Sequence, residues 1–449
     1  MSTVKRLSLS TPLSPAGEGR ERFRCALLLI AGLLVGPPAL AERVLDAAPD
    51  SYRQILRTLQ PGDTLRLAPG LYQQGLPLHH LHGAADRPIT ITGPEAGPPA
   101  IFIAHAGRIT VSLIDSSHLR LRHLRLDGGG ARTHGLVAEG RGRYAHHITL
   151  EHLHISGFDA AQGFSAISTK APAWGWIIRD NVISGVGTGM YLGDSDGGAP
   201  FVAGLIEGNR IENTLGYNLQ IKHQRERPAL PGLPITPQRT LIRHNLFSKL
   251  TGAAGEGMAR PNLLLGHWPL EGPGQDDLYL VYGNRFFHNP TERLFQAEGH
   301  VAVYNNLFVN GFGEAVSFQA HNDRPRRILC FNNTILGRGP ALRLAGADPR
   351  FAQRVDGNAI FAEQPAAVAR LGDNFVASLE RAESLLRAPF APLETVDLSP
   401  VAGALGRTTP GIGPATGLPD ADRDFSGRPR TEPRYGAHGH APGGPRPGD

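Results

Sequence analysis

One short phrase recurs between Leu205 and Leu336, and it limits the fold more than any other feature of the chain. The copies read LIEGNRIEN (205–213), LIRHNLFSK (241–249), LVYGNRFFHN (280–289), AVYNNLFVN (302–310) and ILCFNNTILG (328–337). Each sets apolar residues before an Asn and a second short apolar alternation after it. The Asn positions are 209, 245, 284, 306 and 333; weaker copies carry the series up to Asn181, with His152 and His123 in the equivalent slot, and down to Asn358. Successive gaps from His123 are 29, 29, 28, 36, 39, 22, 27 and 25 residues. A period in the twenties with occasional insertions marks a solenoid, in which each coil packs only on its neighbours. Length therefore does not imply several domains: 449 residues fit one array.

Composition agrees, since 56 Gly and 37 Pro suit many short strands and tight turns rather than long helices. Residues 1–41 read as an export signal: Arg20, Arg22 and Arg24 lead into the apolar run Ala26–Gly36, which closes on Ala39-Leu40-Ala41. The run is too short for a bilayer span, so no lasting membrane anchor is expected and the protein is placed outside the cytoplasm, secreted or periplasmic. That segment carries five basic and two acidic residues, so its removal takes the formal charge from +5 to about +2. A global basic field for nucleic acid is excluded on that ground. Of the two cysteines, Cys25 lies in the signal, and Cys330 falls in the apolar phase of a repeat as a buried structural thiol. A monomer is expected.

After the signal, Ser51-Tyr52-Arg53-Gln54 has the form of a capping box. Tyr52, Ile55, Leu56 and Leu59 share one helical face, which predicts a short helix covering the first coil. Next come PGDTLRLAPGLY (61–72) and RPITITGPEAGPPAIF (87–102). This pairing of phrases resembles the opening of right-handed parallel β-helix (pectin-lyase-like) proteins, and among them the polysaccharide lyase family that contains chondroitinase B and alginate lyases. The likeness spans roughly residues 55–340 and implies an all-β, single-stranded right-handed β-helix with an asparagine ladder. The β-helix is expected over 42–375, a C-terminal capping segment over 376–437 and a disordered tail over 438–449. Within the capping segment, LSPVAGALG (398–406) and DADRDFSGRPRTEPRYGAH (420–438) resemble the ending of many secreted β-helix proteins. The recurring Asn belongs at one corner of each coil, where its amide bonds the next Asn and turn backbone. That assigns the series to structure rather than catalysis.

Strand alternation separates inward from outward residues. With Ile167/Thr169, Met190/Leu192, Leu219/Ile221, Leu263/Leu265, Phe295/Ala297, Phe318/Ala320 and Leu342/Leu344 inward, one outward column is Ser168, Tyr191, Gln220, Leu264, Gln296, Gln319, Arg343. The next is Lys170, Gly193, Lys222, Gly266, Glu298, His321, Ala345, and one residue further lie Asp194, His223 and His267. Insertions at 223–239 and around 250–278 break the period after first strands, where binding loops are common. The polar concentration is greatest over Tyr217–Gln224. In the family named above, the Lys of the matching strand is the catalytic base, and Lys222 occupies that place. Eliminating a uronate requires its carboxylate to be neutralised, its C5 proton removed and its O4 protonated; a Lys with a pKa lowered by cationic neighbours can act as base, and His223 and His267 as acid or carboxylate partner.

These readings give catalytic candidates Lys222, His223 and His267. The substrate-binding candidates are Lys170, Tyr191, Asp194, Asn218, Gln220, Gln296, Glu298, Gln319 and His321. The chain departs from the family at two points: Gly266 stands where a catalytic Arg is expected, and the acidic residues that hold calcium there are replaced by neutral Asn218 and Gln220. No cofactor is therefore assigned: calcium is the one candidate, and the residues at that position do not support it. Asp194-Ser195-Asp196-Gly197 reads as a turn rather than a calcium loop, and His79-His80-Leu81-His82 lacks a carboxylate or Cys partner for a metal. Glu298 and His321 could form an exposed ion pair. Trp174 and Trp268 are candidates for stacking on sugar rings, whereas Trp176 lies in the inward phase. The function expected is β-elimination or C5 epimerisation of an acidic polysaccharide. The alternatives are a non-catalytic carbohydrate-binding protein and a glycoside hydrolase, which would need two facing carboxylates; Glu298 offers only Glu139 or Asp194.

Overall fold

The computed structural model describes residues 42–255, 257–364, 372–408, 411–412 and 416–439. Residues 1–41, where an export signal is expected, and the tail beyond Gly439 lie outside them. Nearly every described element is a short strand, and the strands stack into three long parallel sheets of fourteen, twelve and ten strands. One coil shows the plan. Leu205–Glu207 adds to the first sheet, Arg210–Thr214 to the second and Leu219–Ile221 to the third, and the next coil repeats this with Arg239–Arg243, Leu246–Ser248 and Leu263–Leu265. The chain is a right-handed parallel β-helix. Its inward residues, among them Ile206, Ile211, Leu219, Ile242, Phe247 and Leu263, are fully buried and make one continuous core.

The corner between the first two sheets explains the repeated phrase. The residue before each ladder Asn up to Asn358 is left-handed: φ is 55° at Asp180, 65° at Gly208, 56° at His244, 64° at Gly283, 53° at Asn305 and Asn332, and 69° at Gly357. Gly, Asn, Asp and His tolerate that geometry, which is why the phrase is written with them. The following Asn turns inward and donates its amide to the next one at 2.9–3.0 Å, from Asn181 through Asn209, Asn245, Asn284, Asn306, Asn333 and Asn358 to Asn374. His152 and His123 are not in that slot. They occupy the left-handed column, at 53° and 54°, with rings stacked 5.0 Å apart. The ladder position above Asn181 belongs to Leu153, whose N–H donates to Asn181 Oδ1 at 2.9 Å.

The predicted helix forms over Tyr52–Leu56 and buries Tyr52 and Leu56, but without the capping box. Ser51 is itself helical (φ −108°, ψ −24°), and its hydroxyl accepts from Ala48 N instead. Tyr52 packs edge-on against Tyr72 and Phe102, closing the first coil.

Two of the three sheets are covered on their outer faces in the C-terminal half. Leu398, Leu405 and Ala437 pack on Leu307, Val309, Leu336 and Phe361 of the second sheet. Ala421 packs beside Tyr282, Tyr304 and Phe331 of the first, and Tyr304 Oη donates to Pro419 O at 2.7 Å. The segment after the coils thus runs along their flank as well as past their end. Its packing reaches into the expected tail: His438 is buried and Gly439 N donates to Asp424 Oδ2 at 3.0 Å. The outer face of the third sheet remains open over its central coils.

Candidate functional site

Backbone register fixes what faces outward on the third sheet. The first column is Ser168, Tyr191, Gln220, Leu264, Gln296, Ser317 and Arg343. Ser317, not Gln319, stands there, because Phe295 pairs with Val316. Val316, Phe318 and Ala320 all continue the apolar alternation, so a slip of two residues leaves every side chain on its own face and is invisible to sequence pattern. The correction moves Gln319 into the second column after Glu298 and carries His321 into the loop beyond.

These residues floor a groove of about 750 Å³ lined by Lys170, Tyr191, Gln220, Lys222, Gln296, Gln319 and His321, together with His134, Tyr217, Arg260, Glu292 and Arg293. One wall is the insertion before Leu263, which brings Ala259, Arg260 and Pro261 over the sheet. Arg260 O accepts from Lys249 Nζ at 2.8 Å and from Asn289 Nδ2 at 2.9 Å, which fixes that end of the loop. The other insertion, 223–239, lies elsewhere. Its Leu233 covers Trp174 and Val202, and its Arg227 makes a buried ion pair with Asp277. So one insertion builds the groove and reaches it ahead of its strand rather than after it.

Lys222 is the central group. It is only 9 % exposed, and among the described residues its ammonium makes no hydrogen bond or ion pair. Gly193 and Gly266 stand beside it on the adjacent coils, so no side chain crowds it along the stack. Burial lowers its pKa, while Glu298 and Asp194 oppose the shift. The cause is desolvation, not the cationic neighbours expected from sequence. One coil pair away, the Lys170 ammonium lies 3.6 Å from the Tyr191 ring centroid, and burial lowers its pKa to about 8. Tyr191 Oη shares a hydrogen bond with Ser195 Oγ at 3.1 Å.

Several other candidates have structural work instead. Asn218 points inward, fully buried, and donates to Thr214 Oγ1 at 3.2 Å and Ser248 O at 3.3 Å. Glu298 is fully buried, and Oε1 accepts the backbone N–H groups of His321, Asn322 and Asp323, so it shapes a loop and makes no exposed ion pair with His321. Asp194 Oδ1 accepts from Ala199 N at 2.9 Å and Asp196 Oδ1 from Gly198 N at 2.8 Å, which closes the 194–199 turn. His223 and His267 lie outside the groove lining, their ring centroids 5.2 Å apart, and His267 Nδ1 donates to Trp268 O at 2.9 Å. Burial lowers the His223 pKa, with Lys222 and His267 adding to it. Trp174, Trp176 and Trp268 are all buried, which removes them as sugar platforms.

The departure at Gly266 has a steric reason. A Cβ there would sit 2.2 Å from His223 N and 2.6 Å from His223 Cα, so the neighbouring backbone closes the position to every side chain. The groove's guanidinium groups come from Arg260 and Arg293 instead, neither of which lies on the strand columns. Arg293 Nη1 donates to Gln296 Oε1 at 3.3 Å, orienting that amide. His134 accepts from Ser165 N at Nδ1, which leaves its Nε2 to carry the proton of the neutral ring. Sequence pattern found none of these three. Arg260 alone left a trace, as the basic residue of a flagged insertion. The lining carries Lys170, Lys222, Arg260 and Arg293 against one carboxylate, Glu292, among the described residues, and so presents positive charge.

No protein-family model and no curated protein matches the chain. Solved structures similar to it include an alginate lyase from a Paenibacillus species, with 17 % identity over 68 % of this chain and 99 % of that one, TM-score 0.43. A pectate lyase shares 12 % identity over 82 % of this chain and 92 % of that one, TM-score 0.49. A family 136 lacto-N-biosidase from Eubacterium ramulus shares 11 % over 75 % and 67 %, TM-score 0.45. At these identities the likeness concerns the fold alone.

Proposed function

We propose that this is an exported protein that binds an acidic, uronate-containing polysaccharide along the third sheet and cleaves it by β-elimination, or inverts it at C5. The observation that carries the reading is Lys222: a desolvated amine with no hydrogen-bond or ion-pair partner among the described residues, facing a groove whose other cations can neutralise a carboxylate. Lowering its pKa raises the fraction of neutral amine near physiological pH, the form a base requires. Arg260 and Lys170 pair with the uronate carboxylate, which acidifies the C5 hydrogen. Lys222 takes that proton, the electron pair forms the C4=C5 bond as C4–O4 breaks, and the ammonium just formed returns the proton to O4. Delivery of a proton to the opposite face of C5 instead gives the epimer. Adjacent coils are spaced about 4.8 Å, so the columns from Lys170 to Gln319 span several sugar units.

Hydrolysis is the weaker reading, because it needs two carboxylates across the scissile bond. Glu292 stands alone in the lining, and Glu298 and Asp194 are committed to backbone N–H groups. The test is incubation with alginate, pectate and glycosaminoglycans, recording ultraviolet absorbance from unsaturated ends and NMR for epimerised residues. Product with the parent protein and none with Lys222→Met supports the assignment. Retention on an acidic glycan with no change in any polymer would replace it with a binding role.

A further inference from the structure

Away from the groove, three histidines converge where successive coils enter the first sheet. His118 lies in the strand Ser116–Arg122, and His146 and His147 lie in Ala145–Glu151, which pairs with it. One ring nitrogen from each falls within 4.8 Å of the other two, the only such group among the described residues. We propose that this trio is a binding site for one borderline divalent transition ion, such as Zn²⁺, Ni²⁺ or Co²⁺.

The backbone prepares the arrangement. His118 and His147 are left-handed, φ 53° and 52°, at the same corner of consecutive coils, and their rings stack 4.5 Å apart at 11°. Side chains that normally alternate across a strand are thereby thrown to one side. His146 is registered with Ser117 on the adjoining column and held from behind by the buried Trp174, ring on ring at 4.4 Å and 13°. On the far side of His147 the next coil has Gly175, where even a Cβ would come within 3.0 Å of the imidazole, so the ring is pinned there too.

The electrostatics point the same way. The polar groups facing the trio are His82, whose Nδ1 bonds Ser117 Oγ at 3.1 Å, and Tyr144, whose ring lies 5.2 Å from that of His146. Among the described residues no carboxylate balances a charge on the trio: burial favours the neutral rings, and at His146 and His147 the neighbouring histidines add to it. Neutral imidazole is the ligand form for borderline divalent ions, and three leave further coordination positions for water. His146 Nδ1 and His147 Nδ1 already face each other across 2.7 Å, one donating to the other. An ion would take the place of that shared proton, which moves to the Nε2 of the donor ring with no net proton release. His147 is exposed, giving an entry path. The bound ion would tie two consecutive coils together. The three adjacent histidines visible in sequence, His79, His80 and His82, do not converge in this way. His80 is itself a left-handed corner residue, and His79 Nε2 is bonded to Ser112 Oγ.

Tag-free, chelator-treated protein titrated with Co²⁺ tests the site by visible ligand-field absorption, with Zn²⁺ followed by calorimetry. We expect one ion per chain. We expect affinity to fall at least tenfold in His146→Gln and in His147→Asn, the latter keeping a residue that tolerates the left-handed backbone. Circular dichroism and thermal melting of the metal-free variants report folding separately. Lys222→Met should bind the ion like the parent. Absence of saturable binding, or binding of equal affinity in both histidine variants, overturns the proposal.

Discussion

Replacing Asn245 by Ala should cost far more stability than a single surface contact, because the ladder shares its bonds. Asn245 Oδ1 accepts from Asn209 N at 3.0 Å and Asn209 Nδ2 at 2.9 Å. Its Nδ2 donates to Ile206 O and Arg243 O, both at 2.9 Å, and to Asn284 Oδ1 at 3.0 Å. Truncation strands the Asn209 backbone N–H where water cannot reach, since Asn209 and Asn245 are 1 % and 2 % exposed, while Asn209 Nδ2 keeps Ile178 O and Glu207 O. At roughly 1–3 kcal/mol for an unsatisfied buried group, with the gap left by the amide added, the expected loss is about 2–4 kcal/mol. Asn374 is the internal control. It ends the same ladder but is only half-buried, so solvent can replace its bonds and Asn374→Ala should cost about 1 kcal/mol. Urea unfolding gives the difference, and hydrogen exchange at the Asn209 amide reports whether the corner opens locally before the whole array does. Equal losses in the two variants, or a loss below about 1 kcal/mol at Asn245, would refute the idea that the ladder stabilises by satisfying buried groups.

Four further outcomes are expected. Lys249 is fully buried and its pKa is lowered by burial to about 7, below the ordinary 10.5 of an unfolded chain. The unfolded state therefore binds more protons between those values, so this group's destabilisation is complete below about 7 and is relieved as pH rises towards 10.5. Lys249→Met should accordingly gain roughly 3–5 kcal/mol at acidic pH, and melting curves should show the gain shrinking in alkali; a gain independent of pH would contradict the assignment. Gly266→Arg, which introduces the residue type that the resemblance implies there, should lose more than about 2 kcal/mol through collision with His223 backbone and confer no activity; a folded, more active variant would contradict the steric reading. Arg260→Ala should weaken oligouronate binding about tenfold, roughly 1.4 kcal/mol, and lessen its salt dependence. Turnover by the parent should rise with pH through the lowered Lys222 value, as neutral amine accumulates; salt-independent affinity or a rate that falls over that range would count against the mechanism.

Sequence alone determined the coil. The Asn phrase, the left-handed residue types before it and the period-two alternation specify a β-helix because each strand meets only the same strand of its neighbours, so local pattern and tertiary contact coincide. For the same reason, the outward setting of Tyr191, Gln220, Lys222 and Gln296 could be read directly. The limits of that reading are physical. Alternation fixes a face but not a register in steps of two, which displaced Gln319 and His321. It also assigns a polar residue outward by default, which misplaced Asn218, a buried corner group, and left Glu298 without its loop. Only the tertiary structure decided which insertion leans over which sheet, and hence that Arg260 enters the groove while 223–239 covers Trp174. It also decided that Lys222 is desolvated and that His118, His146 and His147 meet. Those outcomes depend on where loops of unequal length come to rest and on which nitrogen or ammonium they shield, and neither is encoded in the period that builds the coils.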